Sequence, residues 1–171
     1  YGLDEICEAA EAEIKKYLLS PQSRVHFLVG GTQTNYTVIS SVLRPYQSVL
    51  AAASGHIAVH ETGAVEHTGH KVETLPHAGG KITAEQIEAA AAGYETSLIP
   101  EHITQPGMVY ISSPTEFGTI YSLRELEEIS AVCRAHGLYL FLDGARLGYG
   151  LGAADNDVTL RDLARLTDIF Y

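Results

Sequence analysis

Asp143 and Arg146 stand three residues apart in LYLFLDGAR. They offer one carboxylate, a counter-charge for a protonated nitrogen, and one guanidinium, a fork for an anion. An Asp-Gly pair after a strand often only caps a turn, so the other polar clusters decide its reading. Gly30-Gly31-Thr32-Gln33 opens a helical pattern, where free N–H groups and small residues suit an anion. No lysine follows these glycines as in a Walker A loop, and their spacing is not a dinucleotide fingerprint. His56 and His60, four apart in SGHIAVHETGAVEH, offer imidazoles with Glu61 beside them. Without HExxH or a further acidic or cysteine cluster they are not read as a metal site. Ser112–Thr119 is a polar, turn-rich stretch carrying Thr115 and Glu116.

These groups need elements to hold them. Apolar residues at helical spacing from Leu3 to Leu18 predict a helix ended by Ser20-Pro21. Strands are expected at Val25–Val29, Val49–Ala52, Lys71–Leu75, Met108–Ile111, Leu138–Leu142 and Asp168–Tyr171. Helices are expected over Gln33–Leu43 and Val59–Glu66, after the capping boxes Thr83/Gln86 and Ser122/Glu125, and from Thr159. Gly144 is the expected turn residue after Asp143. Strands alternating with helices imply an α/β fold of three layers, a mostly parallel sheet with helices on both faces. Each polar cluster then falls at the carboxyl end of a strand, where open α/β sheets place ligands.

The chain has 171 residues, 46% hydrophobic and 19% charged, which fits one globular domain. A formal net charge of −10 leaves little cationic surface, so no nucleic-acid or anionic-membrane partner is expected. Cys7 and Cys133, far apart in helical patterns, read as buried thiols of a reducing, cytoplasmic compartment. An anion cradle, an imidazole, hydroxyls with a carboxylate, and Asp143 with Arg146 together suit pyridoxal phosphate. Its phosphate fits a helix start, its ring wants a flat partner, and its pyridine nitrogen wants a carboxylate.

Four blocks in order, GGTQTN at 30–35, SGHIAVHETGAVEHTGHKV at 54–72, SSPTEFGTIYSLREL at 112–126 and YLFLDGARLG at 139–148, resemble the threonine aldolase and β-eliminating lyase family. The resemblance implies the aspartate-aminotransferase-like large domain and a pyridoxal-phosphate-dependent lyase that cleaves threonine or allo-threonine to glycine and acetaldehyde. By the same resemblance Gly31 and Thr32 match the phosphate cradle and His56 the imidazole stacked on the ring. Asp143 matches the pyridine partner, and Arg146 a contact to the substrate carboxylate or the cofactor. Glu61 and Thr115 fall in matching active-site stretches. His56, Asp143 and Arg146 are thus the candidate catalytic residues, with His56 the first candidate base and His102 the second. A homo-oligomer, dimer or tetramer, is implied as well.

The resemblance also implies a Schiff-base lysine after the strand that follows DGAR. Lys15, Lys16, Lys71 and Lys81 all precede Asp143. Residues 1–171 are therefore expected to be the central part of the cofactor-binding large domain, inactive by themselves. The alternatives are β-elimination of the tryptophanase or tyrosine phenol-lyase kind, transamination, and an inactive cofactor-fold scaffold.

Overall fold

The computed structural model describes residues 2–171. Five parallel strands, β1 (Gln47–Ala52), β2 (Val72–Leu75), β3 (Gln105–Ser112), β4 (Tyr139–Asp143) and β5 (Ile169–Phe170), form one sheet in the order β2-β1-β3-β4-β5. The chain moves outward from β1 to β2, then returns to lay β3 on β1's other side. That reversal makes β1 and β3 the switch point, where the carboxyl ends of an open sheet leave a crevice.

Residues of the central strands alternate between two cores. Leu50, Val109, Ile111, Leu140 and Leu142 face α5 (Ala84–Glu95), α6 (Leu123–Ala135) and α8 (Leu160–Leu166), through Ile87, Leu126, Ile129 and Leu163. Val49, Ala51, Met108, Tyr110 and Phe141 pack instead against Ile39 and Leu43, at the end of α2 (Gly31–Val42), and against α3 (His56–Val59) and α4 (Ala64–His67) through Ile57 and Val65. Both faces of the sheet are thus covered, which is why its strands read as nearly unbroken apolar runs. Helix α1 (Glu5–Leu18) is capped by Asp4, whose carboxylate accepts from Ile6 and Cys7, and buries only Leu18.

The expected capping boxes form at Thr83/Gln86 and Ser122/Glu125, and a third forms at Thr159/Asp162. Several expectations are corrected. Val25–Val29 forms no strand, the chain bends at Val29, and Val29 is 70% exposed, so β-branched composition there is not matched by a ladder. The helix expected at Val59–Glu66 is two single turns, α3 and α4, because Thr62 and Gly63 both take left-handed backbone conformations between them. A short helix, α7 (Leu147–Leu151), occupies the Gly-rich segment after Arg146. Cys133 is buried and its thiol is pushed up to about 12 by that burial, whereas Cys7 is only half-buried.

Candidate active site

The carboxyl edge of the sheet gathers Asp143 from β4, His56 and Glu61 from beyond β1, Asn35 from α2, Tyr110 from β3 and Tyr171 from beyond β5. Asp143 is 4% exposed. Its Oδ2 accepts from the Tyr110 hydroxyl and from Asn35 Nδ2 at 3.3 Å, and its Oδ1 accepts from the Ala145 N–H at 2.9 Å. A carboxylate held by donors on both oxygens has one orientation. Burial, then the carboxylate beside it, pushes the Tyr110 phenol far above its ordinary range, and Tyr171 is raised for the same reasons. Both phenols therefore stay protonated, and the Tyr110 hydroxyl is a donor to Asp143.

Gly144 is needed for a reason other than a turn. A Cβ there would collide with the Tyr171 carbonyl oxygen, so the Asp-Gly pair lets the chain after β5 pass close over the end of β4.

His56 Nδ1 lies 2.7 Å from Glu61 Oε1, and the same oxygen accepts from Asn35 Nδ2 at 2.6 Å. The Glu61 side chain is fully buried, while the half-buried imidazole keeps part of its surface open. A carboxylate at Nδ1 selects the tautomer that leaves Nε2 as the acceptor. His60 lies beside it, ring centroids 5.3 Å apart, and no three-residue metal-ligating cluster exists among the described residues.

At the start of α2, Gly30 provides no side-chain cap, so the first-turn N–H groups of Gly31, Thr32 and Gln33 point outward without intrahelical partners. Of these residues Gly31 lines a cavity of about 410 Å³, together with Arg24, His26, Thr34 and Tyr171. An uncapped helix start of 12 residues suits an anionic group.

Arg146 sits at the other side, on the loop after β4. Its Nε and Nη2 donate to the Pro114 carbonyl at 3.3 and 3.1 Å, and Nη2 also donates to Glu116 Oε1 at 3.2 Å. Ser112 Oγ donates to that same carboxylate oxygen at 2.9 Å. One edge of the guanidinium is thus fixed to the loop after β3, which leaves the other edge for a ligand.

Thr115 lies in that loop with a different task. It is 1% exposed, and its hydroxyl pairs with Thr119 and donates to the Gly79 carbonyl. It clamps the Gly79-Gly80 turn instead of facing the carboxylate cluster. His102, the second candidate base, is on the single turn Pro100–His102 before β3, at the opposite end of the sheet from Asp143. The lysines sit away from the cluster too, each beside a carboxylate: Lys15 with Glu11, Lys16 with Glu13, Lys71 with Glu73 and Lys81 with Glu125.

Asn35, Tyr110 and Tyr171 are absent from the residues singled out in the sequence. Asn35 alone had a signal, since it lies four residues after Gly31 and one turn before Ile39, on the buried face of α2.

The model of the family described as Beta-eliminating lyase matches residues 1–171. The chain belongs to that family. A low specificity L-threonine aldolase of Pseudomonas sp. (strain NCIMB 10558) is 34% identical over 148 residues, 85% of this chain and 41% of the relative. The solved structure of a threonine aldolase from Leishmania major is 52% identical, with a TM-score of 0.95 over 100% of this chain and 49% of that one. Aspartate aminotransferase from Thermus thermophilus, 21% identical with a TM-score of 0.52, shares the fold over 67% of this chain and 28% of its own. The chain thus spans about half or less of the length of these relatives.

Proposed function

We propose that the whole protein is a pyridoxal-phosphate-dependent lyase that cleaves threonine or allo-threonine into glycine and acetaldehyde. The observation that carries this reading is the Asp143 carboxylate, buried at a strand end and held on both oxygens, linked through Asn35 and Glu61 to the His56 imidazole, with Asn35 on a helix whose start is uncapped. The 52% identity to a threonine aldolase supports the choice of reaction.

The residues present fit the cofactor. Gly31 and Thr32 would bind its phosphate through their N–H groups, and His56 would lie against its ring. Asp143 would face its pyridine nitrogen, where an oriented carboxylate favours the protonated form. When bound, the cofactor supplies an electron sink for charge developing at the substrate α-carbon. Two groups of this chain serve the substrate: His56 Nε2, freed by Glu61 at Nδ1, takes the β-hydroxyl proton, and the open edge of Arg146 binds the substrate carboxylate.

Residues 1–171 are, in this reading, the central part of the cofactor-binding large domain of a cytoplasmic homo-oligomer. The lysine that attaches the cofactor belongs to the remaining length of the protein, because all four lysines here are engaged with carboxylates away from Asp143. No described helix is long and apolar enough to cross a membrane.

Product analysis of the whole protein with L-threonine tests the reaction. Glycine and acetaldehyde are expected. 2-Oxobutyrate with ammonia would mean elimination, and no turnover despite bound cofactor would mean a scaffold.

A further inference from the structure

We infer that Asn35 is a positioning residue that sets the Glu61 and Asp143 carboxylates with one amide. The inference rests on the cofactor reading above and extends it to a side chain that touches neither ring nor substrate. Asn35 Nδ2 donates both of its hydrogens, one to Glu61 Oε1 at 2.6 Å and one to Asp143 Oδ2 at 3.3 Å. Glu61 in turn holds His56, so a single nitrogen links the base to the partner of the ring nitrogen. Because both neighbours are carboxylate oxygens, the amide has only one usable orientation. Flipped, its carbonyl would face two acceptors.

That orientation has a visible cost. Asn35 is 0% exposed, and its Oδ1, turned away from the carboxylates, has no partner. Glu61 Oε2 is likewise buried without one. Orphaned buried acceptors are disfavoured, and a core selected for stability alone would have replaced the pair with apolar side chains. The arrangement makes sense if geometry at Glu61 and Asp143 is what is being maintained. Asn35 also lies on the helix whose first turn offers the free N–H groups. The anion cradle, the base and the ring-nitrogen partner are therefore referenced to one rigid element.

The test is a double-mutant cycle in the holoenzyme with Asn35→Ala and Glu61→Gln. If Asn35 acts through Glu61, each single variant lowers kcat by about tenfold to a hundredfold, with KM little changed. The double variant is then no more than about threefold worse than the weaker single. Losses that multiply overturn the inference. A second readout is the visible-region circular dichroism of the bound cofactor. It should change in Asn35→Ala, and an unchanged band with only a lower melting temperature means a structural residue. Should Asn35→Ala not fold, Asn35→Ser serves in the same cycle, since one hydroxyl cannot donate to both carboxylates. In cofactor-free protein, the ring ¹⁵N resonances of His56 should move in the Asn35 variant while those of His70 do not. That shift in a protein whose wild type binds no cofactor would leave the positioning role standing and refute the cofactor reading. A His56 signal unmoved in the variant overturns the positioning role itself.

Discussion

Tyr110→Phe removes one oxygen from the middle of the carboxylate cluster and little else. The Tyr110 ring is 1% exposed and edge-on to Phe141, with ring centroids 5.6 Å apart, so a phenylalanine keeps the packing. What disappears is a hydroxyl donated to Asp143 Oδ2, which then retains only the 3.3 Å contact from Asn35 among its direct donors. A hydrogen bond to a charged group contributes about 1.5–3 kcal/mol, and an under-donated buried carboxylate loses most of that. Dehydrating a phenol is no longer required in the variant, which offsets part of the loss. A net destabilisation of about 1–2 kcal/mol follows. Urea unfolding of the whole protein reads it as a lower midpoint at unchanged slope. Stability within about 0.3 kcal/mol of wild type would mean that the Tyr110 hydroxyl and Asp143 are not paired, and the account of Asp143's orientation would fail.

Thr115→Ala separates the two roles considered for that residue. Losing the clamp on Gly79 should cost about 1–2 kcal/mol in unfolding free energy while cofactor affinity stays within about twofold, and a selective loss of cofactor would return Thr115 to the site. Gly80→Ala should be more damaging than a typical surface change, because Gly80 has a φ of +88° and a Cβ would lie 2.7 Å from Thr115; a melting temperature equal to wild type would contradict this. His136 bridges Glu88 and Glu95 of α5 at 2.8 Å each, and those carboxylates raise its pKa. The raised folded value means the stabilisation is complete below the unfolded imidazole pKa and is lost as pH rises through the folded one. Melting temperatures of wild type and His136→Ala should therefore converge as pH rises above neutrality, and a constant difference would refute the clamp. Cys133 should resist alkylation near pH 8 until the protein unfolds, with Cys7 reacting first, as mass spectrometry of labelled peptides would read.

The sheet was readable because strands covered on both faces give unbroken apolar runs, as in Leu138–Leu142, and because capping boxes mark helix starts at Thr83 and Ser122 without tertiary help. Val25–Val29 misled for the opposite reason. Composition reports a side chain's fitness for a pleated surface, and only a partner strand makes a ladder. Asp143, His56 and Glu61 could be singled out in the sequence, and the structure brings them together. Their connection could not be seen, because Asn35 and Asp143 lie 108 residues apart and only folding brings one amide between two carboxylates. Tyr110 was invisible as a polar residue inside a strand-like run, since a phenol reads as bulk until its hydroxyl finds an acceptor, and Tyr171 likewise read as part of a strand. Thr115 shows the limit of carrying a role along a motif: its stretch borders the site through Pro114 and Glu116, while its own hydroxyl turns to Gly79.

We propose that Asp143 serves the cofactor's ring nitrogen. Asp143→Ala in the whole protein, followed by cofactor absorbance and by glycine release from L-threonine, tests it most directly. The expected variant is a folded protein that has lost roughly a hundredfold or more of its activity and whose bound cofactor has an altered absorption spectrum. Near-wild-type turnover with an unchanged spectrum would reduce Asp143 to a turn cap and contradict the assignment of the site.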